Sequence, residues 1–394
     1  MEDFEYFNST KIIFGKSSID KIADELLKEK CKKVMVLYIE DYLEKNGTID
    51  KVSNIIKKAG MEFVLYNELV PNPLVSTAEK AIEKAKKENV DSVLAIGGGS
   101  VIDVGKAVGL ALANDNLNLS NLILGKETVN GTKPVGVIVT IAGSGSESSF
   151  SMVLTIDEGM LKRTYSNDII RPKFAVLDPT ITYTLPHRQM IAGGCDILMH
   201  TLDRYFSPSK DTVLVDKISE ALLISTMDSL KKSDANPFDY EARATLMWAG
   251  NLSHNGLTGT GKTPDWGPHR LEHELSGKFN VIHGEGLCAI WGSWARYVYL
   301  EHVERFVAFA VEVMKVENDY FNPERTALNG IEKMEEYFKS VKMPTSIKDL
   351  GLTVTDEDIE DMAKKCLLTS DTIGAFKKLD LDDIIKIYQN ARGK

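Results

Sequence analysis

Five of the chain's seven histidines, His200, His254, His269, His273 and His283, fall in one stretch of its second half. Two i,i+4 pairs stand out within it. Asp196 and His200 lie in GGCDILMHTLDRYF, and His269 and His273 lie in WGPHRLEHELSG. On a helix, residues four apart share a face with Cβ atoms ~5–6 Å apart, near enough to chelate one ion. His283 follows in FNVIHGEG, where glycines allow a tight turn. One carboxylate with imidazoles suits a first-row divalent ion such as Fe(II) or Zn(II). Spacing alone favours Asp196, His200, His269 and His273, with His283 in reserve. His187, His254 and His302 read as ordinary structural or solvated histidines. All four tryptophans, Trp248, Trp266, Trp291 and Trp294, share this region. They read first as core, with one or two as candidates to line an apolar pocket beside the ion.

A second kind of chemistry sits in the first half. Residues 92–109 read SVLAIGGGSVIDVGKAVG, an apolar strand, a run of glycines at Gly97, Gly98 and Gly99, then Ser100 and a helix. Glycines let the backbone approach an anion, and free N–H groups at a helix start bind phosphate oxygens. The spacing is neither GxGxxG nor GxxxxGK[ST]. A second small-residue segment, Thr140-Ile141-Ala142-Gly143-Ser144-Gly145-Ser146-Glu147, follows another strand. Ligands sit at the carboxyl ends of parallel strands, so the two loops can serve one ligand.

The elements that must hold these residues change character along the chain. Apolar, β-branched runs near 34–39, 62–66, 92–96, 135–141 and 173–177 predict strands. They alternate with helix-like segments at 17–31, 48–59 and 77–89, the first opened by a possible Ser17/Asp20 capping box. Such alternation implies parallel strands covered by helices. After Pro186 the segments at 211–232, 240–255, 301–315 and 329–341 all read as helices, and no strong strand follows. The expected division is an α/β domain over 1–186 and an all-helical domain over 187–394, closely packed with a cleft between them.

Composition narrows the classes. The 394 residues carry a formal charge of -10, which argues against a nucleic-acid grip. Four scattered cysteines, with no CxxC, argue against a disulfide scaffold or a cysteine zinc site. The start, MEDFEYFNST, lacks the features of a signal peptide, and no run approaches the ~20 apolar residues of a membrane helix. A cytoplasmic enzyme is the expectation.

Taken in order, FNSTKIIFGKSSIDKI, PNP at 71–73, GGGSVIDVGKAVG, TIAGSGSE, DPTITYTLP, GGCDILMHTLDRYF, YEARATLMWAGNLSHNGLTGTG and DWGPHRLEHELSGKFNVIHGEGL resemble the iron-containing (group III) alcohol dehydrogenases, most nearly the bacterial butanol dehydrogenases. The resemblance implies an N-terminal α/β dinucleotide-binding domain with a Rossmann-like parallel sheet. It also implies a C-terminal all-α metal domain, in the architecture shared with dehydroquinate synthase, and an active site between the two. It implies metal ligands Asp196, His200, His269 and His283, with His273 as a proton relay near the nicotinamide. It implies cofactor contacts at Asn72, Gly98, Gly99, Ser100, Thr140, Ser144, Ser149 and Lys162. The expected metal is Fe2+, with Zn2+ as the alternative, and the expected assembly is a homodimer.

Two departures add detail. Where relatives with a Tyr-Gly-Gly-Gly-Ser pattern use NADP, this chain has Tyr38-Ile39-Glu40-Asp41-Tyr42. A carboxylate there can accept from the ribose 2′-OH and repel a 2′-phosphate, which predicts NAD(H) over NADP(H), read by Glu40 or else by Asp41. Pro268 before His269 predicts that this ligand helix starts close to the metal. The implied reaction interconverts primary, butanol-like alcohols and aldehydes. Glycerol dehydrogenase and dehydroquinate synthase-like chemistry are the enzymatic rivals, and a non-enzymatic metal protein the remaining one. A phosphorylated substrate calls for several basic residues, whereas 257–284 carries only Lys262, Arg270 and Lys278.

Overall fold

The computed structural model describes residues 1–39 and 41–393. Its strands are β1 (Lys11–Phe14), β2 (Lys33–Leu37), β3 (Glu62–Tyr66), β4 (Ser92–Gly97), β5 (Val135–Val139), β6 (Ser151–Ile156), β7 (Leu161–Ser166) and β8 (Phe174–Leu177). The helices of the first half are α1 (Ile22–Lys28), α2 (Asp41–Lys45), α3 (Thr48–Lys58), α4 (Val75–Lys87), α5 (Gly99–Ala111) and α6 (Leu119–Ile123). Those of the second half are α7 (His187–Tyr205), α8 (Val213–Ala235), α9 (Tyr240–His254), α10 (Gly267–Phe279), α11 (His283–Val298), α12 (Val303–Ala308), α13 (Pro323–Ser340), α14 (Asp356–Cys366) and α15 (Leu381–Ala391).

Two compact units divide the chain. The α/β unit holds Phe7–Pro186 and Pro237–Asn255, and the helical unit holds Met1–Tyr6, His187–Asn236 and Gly256–Lys394. Compared with a single cut at 186, residues 1–6 and 237–255 fall on the opposite side. The reason is local packing. Met247 of α9 enters the α/β core, and Trp248 sets its ring 6.3 Å from that of Phe14 on β1. At the other end, the Glu2 carboxylate accepts from Ser209 and Thr263 of the helical unit.

In the α/β unit six parallel strands run in the order β1-β8-β5-β4-β2-β3. Both faces of this sheet are covered, so the inner strands are apolar at successive positions instead of alternating. Met35 and Leu37 of β2 enter one core, with α4 and α5. Val34 and Val36 enter the other, with α1 and α3. Helix α5 is buried along almost its whole length, its two charged residues Asp103 and Lys106 included.

Some expectations change. The helix expected over 17–31 is a short 3-10 turn at Ser18–Lys21 followed by α1. Ser17 sits at φ 61, and its N–H donates to Asp178 Oδ2 at 2.7 Å. The Ser17/Asp20 capping box therefore does not form. β1 and the antiparallel hairpin β6–β7 were not expected from the sequence. The hairpin is partly polar, with Lys162 and Arg163 inside β7. The single helix expected over 301–315 is instead α12 and a wider π turn at Phe309–Val313.

The helical unit is built on aromatic packing. The ring of Phe206, just past α7, stacks on Phe306 at 4.3 Å and meets Trp291, Trp294 and Phe309 at 6.3, 5.8 and 5.3 Å. Trp291 and Trp294 are thus core residues, fully buried on α11.

Candidate metal centre and nucleotide loops

Three helices of the helical unit converge on one carboxylate. α7 carries Asp196 and His200 one turn apart, both buried. α10 begins at Gly267 with Pro268 in its first turn, where a missing N–H costs nothing, so His269 lies at the helix start. α10 ends at Phe279, capped by Asn280 at φ 51, and α11 begins at His283. At Gly284 a Cβ would lie 2.1 Å from the Ala192 carbonyl oxygen, so only glycine lets α11 approach α7 this closely.

From Asp196 Oδ1, the distance to His200 Nδ1 is 3.3 Å, to His283 Nε2 3.7 Å and to His269 Nε2 3.9 Å. Donors held about 2.1 Å from one tetrahedral ion lie about 3.4 Å apart, so the spacing suits a shared cation. Asp196 Oδ1 and His269 Nε2 are buried, with no hydrogen-bond partner among the described residues. Such groups cost about 1–3 kcal/mol each unless satisfied, a cost that a bound cation removes. Burial alone pulls the His269 pKa down, but the carboxylates of Asp203 and Asp196 outweigh it and push it up to about 9. The cluster attracts positive charge, and the donor set fits a divalent ion.

His283, held in reserve on spacing alone, supplies a third imidazole beside Asp196. His273 groups with Glu272 and His283, their ligand atoms within 4.8 Å of one another. Its ring lies 5.8 Å from that of His283 and 6.5 Å from that of His269.

Two carboxylates that sequence reasoning passed over complete the centre. His269 Nδ1 donates to Asp203 Oδ2 at 2.5 Å, and His283 Nδ1 hydrogen-bonds Glu272 Oε2. Glu272 also accepts from Ser276 Oγ. A proton on each Nδ1 leaves each Nε2 lone pair facing Asp196, and such outer carboxylates fix ring orientation and ligand basicity. The signal was present: Asp203 lies seven residues past Asp196, two turns along the same face, and Glu272 follows His269 by three. Trp266, at φ 61, sets its ring 5.2 Å from His269 and 6.2 Å from His200, under the Arg204 guanidinium at 4.5 Å. His187 pairs with Asp234, and His302 lies 3.6 Å from Glu304.

The α/β unit offers a different surface. β4 ends at Gly97, Gly98 is extended, and α5 starts at Gly99. A Cβ on Gly99 would lie 2.7 Å from Ser144 Oγ, so the two small-residue loops touch only because Gly99 has no side chain. Thr140, just past β5, donates its N–H to the Gly97 carbonyl at 3.1 Å. Its Oγ1 is buried, with no hydrogen-bond partner among the described residues. Ser144 Oγ accepts from the Ser146 N–H at 3.3 Å and Ser149 Oγ from the Ser151 N–H at 3.0 Å. Lys162 on β7 donates to Asn72 Oδ1 at 3.2 Å, with Asn72 at φ 49 in the PNP turn. The structure thus gathers Gly98, Gly99, Ser100, Thr140 and Ser144 at the ends of two adjacent strands and joins Lys162 to Asn72. A backbone cradle, an unsatisfied hydroxyl and a helix N-terminus fit a phosphate-bearing nucleotide. Glu40 lies outside the described residues. Asp41 opens α2 just after β2, which neighbours β4.

Known proteins share this sequence pattern and fold. The family model described as iron-containing alcohol dehydrogenase matches residues 9–179, and that of the C-terminal part of the Fe-containing alcohol dehydrogenase family matches residues 190–392. The chain belongs to the iron-containing alcohol dehydrogenase family. It is therefore an oxidoreductase acting on alcohols and aldehydes. The NADH-dependent butanol dehydrogenase A of Clostridium acetobutylicum is 34% identical over 393 residues, covering 99% of this chain and 100% of that protein. The NADPH-dependent aldehyde reductase of Escherichia coli is 29% identical and covers 100% of both chains. The crystal structure of NADH-dependent butanol dehydrogenase A from Thermotoga maritima superposes with a TM-score of 0.95 at 33% identity, covering 100% of this chain and 99% of that one. Among the described residues no helix is long and apolar enough to cross a membrane.

Proposed function

We propose that this protein interconverts primary, butanol-like alcohols and aldehydes with NAD(H), using a divalent metal, Fe2+ before Zn2+. The observation that carries the reading is the convergence of three imidazole nitrogens within 3.9 Å of Asp196 Oδ1. Asp196, His200, His269 and His283 would hold the ion, with Asp203 and Glu272 orienting two of the imidazoles. When bound, the ion supplies Lewis-acid polarisation of the substrate oxygen. The nicotinamide supplies hydride chemistry. Asn72, Gly98, Gly99, Ser100, Thr140, Ser144, Ser149 and Lys162 would hold the nucleotide. His273, buried with its ring 5.8 Å from that of His283, would hold or release a proton at its imidazole nitrogen. Residues 1–186 would serve the nucleotide and 187–394 the metal.

A small, weakly polar substrate suits the basic residues near the ligands. Lys262 is engaged with Asp216 at 2.5 Å, and Lys278 with Asp358 and Asp361 at 2.9 Å each. Glu40 or Asp41 would favour NAD(H) by accepting from a 2′-OH and repelling a 2′-phosphate. The four cysteines are free, as suits a reducing cytoplasm, and a homodimer follows the family resemblance. The test is absorbance at 340 nm with butanal, using NADH and then NADPH, with and without a chelator. We expect turnover that the chelator abolishes and a kcat/KM at least about tenfold higher with NADH. No turnover across short aldehydes would reject the reaction, and a higher kcat/KM with NADPH would reject the cofactor preference.

A further inference from the structure

The close approach at Gly284 is one rung of a longer contact between α7 and the start of α11. Arg188, Ala192, Asp196 and His200 follow one another at intervals of four along α7. Such an i,i+4 row forms a single ridge on a helix. The first residues of α11 meet this ridge in order. His283 Nε2 lies 3.7 Å from Asp196 Oδ1. Gly284 packs on Ala192, where a Cβ would lie 2.1 Å from the carbonyl oxygen. Glu285 receives Arg188, whose Nε donates to Oε1 and whose Nη2 donates to Oε2 at 2.6 Å. Residues 283, 284 and 285 thus pair with 196, 192 and 188, about one turn of α7 per step.

The fourth residue of the turn faces α10. At Gly286 a Cβ would lie 2.9 Å from both Glu272 Cγ and Oε1, and Glu272 is the carboxylate bonded to His283 Nδ1. Successive residues point about 100° apart around a helix, so contacts at four in a row fix the rotation of this turn as well as its position. The two glycines only permit approach, since they carry no side chain to attract a neighbour. Attraction must come from the side chains of His283 and Glu285.

We propose that Arg188 and Glu285 are positioning residues for the metal ligand His283, a bidentate clamp that locks the register of α11 on α7. The inference rests on the metal reading of Asp196, His200, His269 and His283. Stability alone is a poor reason for the pair. The Arg188 side chain is 67% exposed and that of Glu285 6%, and an ion pair open to water on one side adds little. Burying the Glu285 carboxylate carries a desolvation cost that a plain apolar contact between two helices would avoid. What the fork adds is direction, because two parallel N–H···O bonds set an angle as well as a distance. Without it the first turn of α11 is free to rotate about its axis, and the His283 Nε2 lone pair swings away from Asp196.

The test uses the full-length protein with Glu285→Gln, which keeps the shape and loses the charge, and Arg188→Met, which keeps an unbranched chain without donors. Cobalt(II) is the probe, because its visible absorption reports ligand geometry. Its Kd is measured by competition with a chelator, alongside the melting temperature of the metal-free protein. We expect Kd to rise about 10-fold in Glu285→Gln, the lower end of outer-sphere losses, and several-fold in Arg188→Met, where water reaches the vacated side. The visible bands should shift in both. In a His283→Ala background, Glu285→Gln should add less than about twofold, because the clamp acts through the ligand already removed. A purely structural pair would lower the melting temperature and leave Kd and the bands in place. A Kd within about twofold of the unaltered protein in either folded variant would overturn the inference, as would an equal further loss in the His283→Ala background. Arg188→Met, at the surface, decides it if Glu285→Gln does not fold. Failure of the unaltered protein to bind cobalt would overturn the metal reading and this inference with it.

Discussion

The two regions are suited to opposite charges by opposite means. In the helical unit the candidate ligands are side chains, three imidazoles and a carboxylate, and the backbone only brings helices together. In the α/β unit the candidate phosphate site is backbone, and side chains matter mainly by being absent. Gly284 and Gly99 show the contrast. Gly284 lets α11 close on α7 so that His283 reaches Asp196, whereas Gly99 lets two loops touch and leaves the helix start open. A side-chain site should thus fail one residue at a time, with large and separable losses. A backbone site should fail when atoms are added.

The largest expected effect tests the separability of the side chains. His283→Ala should reduce bound metal at least about tenfold and abolish turnover, because a ligand is lost. His273→Ala should keep its metal and lose about 10²–10⁴-fold in kcat, the usual worth of a positioned proton donor or acceptor. NADH affinity should hold in both. Metal analysis with nucleotide titration decides, and metal loss from His273→Ala would reverse the two assignments.

Next comes an added methyl group. Gly99→Ala places a Cβ 2.7 Å from Ser144 Oγ, where one loop must shift. We expect NADH affinity to fall about 10–100-fold with metal content unchanged. Unchanged affinity would show that the loops have slack and that the cradle is not set by close approach. A smaller effect belongs to the outer carboxylates. Asp203→Asn removes the charge that faces His269 Nδ1, and outer-sphere losses of this kind cost about 10–100-fold in metal affinity. Competition with a chelator measures it. Activity restored at high metal concentration would separate this effect from the loss of a ligand.

The contrast also explains what could be read from the sequence. The inner parallel strands were legible because burial on both faces leaves continuous apolar runs such as Val34–Leu37. β1 was not, being four residues at the edge of the sheet, and the polar β6–β7 hairpin broke the strand–helix rhythm. In the helical unit, i,i+4 spacing picked out Asp196, His200 and His269, which the fold brings together, since a helix fixes which residues share a face. It favoured His273 over His283, because how α10 and α11 meet is not written in the spacing, and the family resemblance reversed that choice. Asp103 and Lys106 drew no notice within GGGSVIDVGKAVG, because helical periodicity does not show that both charges point inward.

The smallest effect asks how far side-chain control extends from the metal. Lys278, near the end of α10, pairs with Asp358 of α14 at 2.9 Å. Asp358 also closes a capping box, accepting the Thr355 N–H at 2.9 Å. The Thr355 N–H and then Lys278 hold the Asp358 pKa down to about 2, below its ordinary 3.8. For a carboxylate depressed in the fold, stability is fully present above the ordinary value and is lost as pH falls through about 2. The group is part-exposed and screened, so Asp358→Asn should cost only about 0.5 kcal/mol, or roughly 1–2 °C in melting temperature at pH 7. The difference from the unaltered protein should hold at pH 5 and shrink between about pH 4 and pH 2. Metal affinity should not move, because the helix start at His269 lies about two and a half turns from Lys278. A loss of metal in Asp358→Asn would mean that the α10–α14 contact sets the ligand geometry, extending the side-chain site well beyond Asp203 and Glu272.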